Sequence, residues 1–291
     1  MSVEATHPYQ VANSDTAATG LIIIDAHVHI RPCFNIDQLL TSAWQNFQRY
    51  ASQKGNTTKF TGVLLLTETS EDNWFAQTVN QIQTSPSKSF NTEKWAFSPT
   101  AESCSLRATN DQGHTLLLMA GRQVVTAENL EVLALICDRT FSDGLPLEET
   151  IQAIQKQKAL VVLPWGFGKW LGNRGRLISS LIENASLAPL FLGDNSGRPI
   201  FWPRPHYFQR IEQQGRQILP GTDPLPIASE ASRPGSFGLA IAGTLDSETP
   251  GQSLRERLLH PQAEWEAYGQ LETPLKFIRN QLAIRTSPSD P

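Results

Sequence analysis

The chain has 291 residues, 40% of them hydrophobic and 18% charged, which excludes a disordered chain and allows a large core. At about 150 residues per domain two domains would be usual, but one α/β barrel of about 200–250 residues with tails fits as well. Lys plus Arg total 24 against 28 Asp plus Glu, a net charge of −4, so there is no basic excess to neutralise a phosphate backbone and nucleic-acid partners are not expected.

Residues 1–19 are small and polar with no apolar period, and residues 286–291 are Ser, Pro and Asp with one Thr. Both read as flexible tails around a single domain over 20–285. The longest purely aliphatic run, Leu21–Ile24, is far short of a membrane span of about 18 residues, and no basic region followed by an apolar one opens the chain. A cytoplasmic protein without membrane association is expected. Cys33, Cys104 and Cys137 lack CxxC spacing and read as reduced, mostly buried thiols.

Apolar runs recur at Leu21–Ala26, Gly62–Thr67, His114–Ala120, Arg122–Thr126, Glu131–Ile136, Leu160–Pro164, Pro189–Gly193 and Arg216–Gly221. Most do not alternate, as in parallel strands covered on both faces. Helical spacing links Ile36, Leu40, Phe47 and Ala51, and Pro146 followed by LEETIQAIQKQ predicts an amphipathic helix with acidic residues in its first turn. Further helices are expected over Arg174–Ala185, Pro205–Gly215 and Pro274–Ile284. Cys104 to Ala120, with Asn-Asp-Gln-Gly at its middle, reads as an inserted hairpin. The alternation predicts an α/β barrel or a doubly wound sheet.

The first run leads into Asp25-Ala26-His27-Val28-His29. Alternation turns His27 and His29 to one face of a strand, where both imidazoles can reach one metal ion. Asp223 follows the run that ends at Gly221. In a closed barrel the first and last strands are neighbours, so Asp223 is the expected third ligand. Two loops could supply anion-binding groups: Trp165–Gly175, with Lys169 and Arg174, and Gly193–Pro199, with Asp194, Asn195 and Arg198. Lys169 and Arg198 are the candidates to stabilise negative charge, and Asp194 or Glu68 to act as a base.

These motifs, in this order, resemble the PHP (polymerase and histidinol phosphatase) superfamily of metal-dependent phosphoesterases over Leu21 to about Gly238. The resemblance implies a distorted (β/α)7 TIM-like barrel. It rests on the H-x-H of His27 and His29 and on Gly221-Thr222-Asp223, which matches the start of the family's G-S-D-A-H. At the other ligand positions this sequence departs from the pattern: Thr69 stands for the T-D-H histidine, Gln123 for the G-x-E glutamate, Glu131 for the next histidine, Pro164 or Trp165 for the H-P histidine and Leu225 for the last. The implied site is therefore reduced to one divalent ion, Zn, Mn or Fe, on His27, His29 and Asp223, acting on a small anionic substrate. Glu68 and Glu131 are replacement ligands or carboxylates outside the site. A barrel that has lost catalysis and binds an anion or a partner is the alternative. The amidohydrolase superfamily also opens with H-x-H, but none of His7, His114, His206 and His260 ends a middle strand to supply its further ligand.

Overall fold

The computed structural model describes residues 20–55, 60–184 and 189–286. The tail expected at 1–19 lies outside them, as does all of the one expected at 286–291 except Thr286. The chain opens with β1 (Leu21–Val28), α1 (Ile36–Gln53), β2 (Phe60–Leu66), α2 (Trp74–Thr84), β3 (Phe90–Asn91) and β4 (Trp95–Pro99). It continues with β5 (Ser105–Asn110), β6 (Thr115–Met119), β7 (Gly121–Val125), β8 (Glu131–Leu135), α3 (Leu147–Lys156), β9 (Leu160–Pro164) and α4 (Asn173–Glu183). The last elements are β10 (Phe191–Asn195), α5 (His206–Gln213), β11 (Ile218–Gly221), β12 (Gly238–Ala242), α6 (Pro250–Leu259), β13 (Glu266–Tyr268) and α7 (Pro274–Thr286). Among the described residues no helix is long and apolar enough to cross a membrane.

Each of the apolar runs overlaps a strand, and the hairpin read at Cys104–Ala120 is β5 against β6. β3, β4, β12 and β13 lie outside those runs. α2 was also not expected: Asn73 makes no side-chain cap, and the carboxylate of Glu68 instead accepts from Phe75 N at 2.6 Å, satisfying a first-turn donor from outside the helix. α1 starts conventionally, with Asn35 Oδ1 accepting from Gln38 N at 2.9 Å.

The strands form a mixed α/β fold with two sheets, β13-β12-β1-β2-β6-β5-β4-β3 and β11-β10-β9-β8-β7. This corrects the expected (β/α)7 TIM-like barrel, because the ladders do not close and the strands are not all parallel. β7 and β8 are joined through the short Thr126–Leu130 connection and pair antiparallel, since a parallel pair needs a long crossover. β12 runs back antiparallel along β1, taking the edge that a closed barrel would give to β11.

The sheets instead meet at two seams. At one, Glu68 N donates to Gly121 O at 3.1 Å and Gln123 N to Glu68 O at 2.8 Å. At the other, Asp223 N donates to His27 O at 2.8 Å. A glycine stands at each: a Cβ on Gly121 would come within 2.3 Å of Leu66 O, and one on Gly221 within 2.3 Å of His27 N. Only a residue without a side chain lets the backbones approach this closely. Two buried clusters fill the interior. One joins the larger sheet to α1 and reaches Leu254 and Leu258 of α6. The other packs α3, α4 and α5 on the outer face of the smaller sheet.

Candidate metal centre

β1 carries His27 at its end, and His29 follows it. Their Nε2 atoms lie 3.1 Å apart, and Asp223 Oδ1 is 3.4 Å from the first and 3.5 Å from the second. A tetrahedral ion with bonds of about 2.0–2.2 Å has donors separated by roughly 3.3–3.6 Å along each edge. The two distances to Asp223 fall in that range and the His27–His29 distance just below it, so a small opening of the two rings would let the three donors share one divalent cation. Among the described residues this is the cluster of His, Cys, Asp and Glu able to share an ion; Glu68, Glu131 and Asp194 are not in it.

The protonation states suit that use. Burial drives the His29 imidazole below its usual pKa, with the charges of His27 and Arg31 adding to the effect, so the ring stays neutral and available as a ligand. Burial alone would raise the Asp223 carboxyl, but His27, the hydrogen bond from His29 and Arg233 hold it below the usual carboxylate range. Both histidines are buried, whereas the Asp223 side chain is 29% exposed, which makes its side the approach from solvent.

Asp223 reaches this position through the turn after β11. Its φ of 48° is left-handed, a conformation Asp tolerates better than most side chains. Asp25 anchors the turn. Buried beneath it, the carboxylate accepts from Thr222 N at 2.8 Å, Thr222 Oγ1 at 2.6 Å and Gly235 N at 2.8 Å. Burial pushes its pKa up to about 6 and those donors oppose the rise. From β10, Asn195 donates through Nδ2 to Asp223 Oδ2 at 3.0 Å and to Trp165 O at 2.8 Å, and its Oδ1 is buried without a partner. From β7, Gln123 places Oε1 3.2 Å from His27 Nε2.

The other expected site residues are answered elsewhere. Neighbours along a strand point to opposite faces. Asn195 therefore meets Asp223, while Asp194 forms a two-armed pair with Arg198 at 2.8 and 2.7 Å. Lys169 is paired with Glu131. Glu68 faces away from the histidines, between Phe75 N and Arg122, the latter at 3.2 Å. In the sequence Asn195 reads as an anion-binding group of its loop and Gln123 as a departure at the G-x-E position, and neither is expected to contact Asp223 or His27. The parts of Asp25, Thr222 and Arg233 depend on long-range contacts with no local signal.

Among solved structures, the chain is similar to PsfC from Pseudomonas syringae at 12% identity and a TM-score of 0.52, over 92% of this chain and 99% of that one. It is similar at 14% identity and a TM-score of 0.46 to a two-domain protein from Bacteroides vulgatus containing a predicted PHP-like metal-dependent phosphoesterase, over 92% and 70% of the two chains. The lesion-specific endonuclease PfuEndoQ from Pyrococcus furiosus is similar at 9% identity and a TM-score of 0.48, over 85% and 57%. No family model and no curated protein matches the chain. At such identities the likeness is one of fold.

Proposed function

We propose that residues 20–285 form a single-domain, metal-dependent hydrolase of the phosphoesterase type. One divalent ion, Zn, Mn or Fe, would be held by His27, His29 and Asp223. The observation that carries this reading is the donor triangle, whose two edges to Asp223, 3.4 and 3.5 Å, match those of a coordination tetrahedron, and whose His27–His29 edge, 3.1 Å, is only slightly shorter. A divalent ion in such a site supplies Lewis acidity and lowers the pKa of water. The protein's own part is to keep His29 neutral by burial, to keep Asp223 ionised, and to fix the Asp223 carboxylate through Asn195.

The substrate is a small anion. The net charge of −4 argues against a long polyanionic partner. The pairing of Lys169 with Glu131 and of Arg198 with Asp194 leads us to assign these residues to holding their loops, in place of the catalytic roles expected from sequence. Both cations already have a counter-charge, and Asp194 is not free to take a proton from water. Arg31 is better placed to meet the anion. It stands two residues after His29, its charge reaches His29, its side chain is 20% exposed, and although Nη1 pairs with Asp72 at 2.9 Å its Nε has no partner within the described residues.

Elemental analysis of the purified protein should find about one transition metal per chain, lost in His27→Ala and in His29→Ala. A panel of small phosphate esters should then show metal-dependent turnover, and Arg31→Gln should lower it by about tenfold or more with the metal retained. Two or three metals per chain, or none after loading, would overturn the site. Metal without turnover on any ester would leave a binding protein instead.

A further inference from the structure

A cavity of about 560 Å³ lies between α2 and the β4–β6 part of the larger sheet. It is separate from the metal centre: Arg122 lines it, while the next residue on β7, Gln123, turns to His27 on the other face. Its floor is apolar, made by Phe75, Val79 and Ile82 of α2 and by Leu106 of β5. Such a volume accepts a small organic molecule.

The charges around it narrow the class of ligand. Glu68 and Arg122 answer each other at 3.2 Å, and Arg122 also donates to Asp72 O at 2.7 Å. Glu102 accepts from Ser105 Oγ at 2.7 Å and from Gln252 N at 3.0 Å. Lys88 donates to Gln83 O at 3.1 Å, and Asp138 lies beside Arg139 at 3.9 Å at the exposed edge. Inside the cavity Glu68 is answered by Arg122 and Glu102 by the first backbone donors of α6, while Lys88 and Asp138, without a close opposite charge, are exposed at its edge where water screens them, so a charged ligand in the body of the cavity would lose its hydration with no counter-charge to replace it. The side-chain amides of Asn80 and Gln83 remain at the exposed mouth, where they offer donors and acceptors without charge.

We propose that this cavity is a binding site for an uncharged amphipathic small molecule, its apolar body between α2 and β5 and a hydroxyl or amide group at the mouth. The inference stands independently of the hydrolase reading. The test uses two fluorescent probes with similar rings, neutral N-phenyl-1-naphthylamine and the anionic 8-anilinonaphthalene-1-sulfonate. The neutral probe should bind at one site per chain, and the sulfonate more weakly by about tenfold or more. Val79→Trp, which fills the cavity, should abolish binding of the neutral probe. If that variant loses helical circular dichroism, Ala76→Trp at the exposed rim of the same cavity decides the matter. No saturable binding of the neutral probe would overturn the proposal, as would binding unchanged in the folded tryptophan variant. Equal affinity for the sulfonate would overturn the assigned ligand class.

Discussion

Gly221 shows how one residue's lack of a side chain decides whether a site exists. Its backbone lies so close to His27 that a Cβ would sit 2.3 Å from His27 N and 2.6 Å from His27 Cβ. Neither contact is with the end of a flexible side chain, so the added methyl can be accommodated only by spreading β11 from β1. Asp223 is two residues further along and hydrogen-bonds to His27 O at 2.8 Å; spreading the strands separates the carboxylate from both imidazoles. Gly221→Ala is therefore expected to destabilise the fold by about 1–3 kcal/mol and to weaken metal binding by about tenfold or more. Urea denaturation and calorimetric titration with Zn(II) check the two effects separately. Wild-type metal affinity in this variant would mean that the turn rather than the strand approach sets the carboxylate.

At the scale of elements, buried Arg233 ties three segments together. It donates to Glu230 Oε2 at 2.6 Å within the 3-10 turn Ala228–Ser232, to Glu272 Oε2 at 3.0 Å just before α7, and to Ser196 Oγ at 2.7 Å after β10. Ser196 in turn donates to Thr222 O at 2.8 Å, so the network ends beside the proposed metal centre. Glu230 and Glu272 are 3% and 4% exposed. Removing the guanidinium would leave two carboxylates in the interior with only half-exposed Lys276 near them. Arg233→Ala should cost about 3–5 kcal/mol, the scale for a buried charge that loses its partner, as read from the urea midpoint. A loss below about 1 kcal/mol would mean that the glutamates take up protons or reach water.

Across the whole molecule, the two clusters and the seams between the sheets determine which cysteines meet solvent. Cys104 is in the first cluster and Cys137 in the second, whereas Cys33 is exposed. Burial pushes the Cys104 thiol up to about 12, with Glu102 adding to it, and burial also raises the Cys137 thiol. The thiolate is the reactive form. Dithionitrobenzoate should therefore modify one thiol per folded chain rapidly and all three after denaturation. Three equal rates in the folded protein would show that the seams open on the time scale of the reaction.

Most strand positions and the histidine pair were legible because both depend on local spacing. A strand covered on both faces is written as an apolar run, and His27 and His29 share a face because the side-chain period is two. Asp223 was within reach because a turn aspartate after a late strand can meet the first one. The partners of Asp194, Arg198 and Lys169 were not legible. A charge in a loop carries no local mark of its counter-ion, and whether Asp194 or Asn195 faces the site depends on how β10 is set between β9 and β11. Sheet closure was hidden for the same reason. The antiparallel return of β12 along β1 and the two glycine seams are long-range pairings, fixed by backbone hydrogen bonds and close approach between segments far apart in sequence.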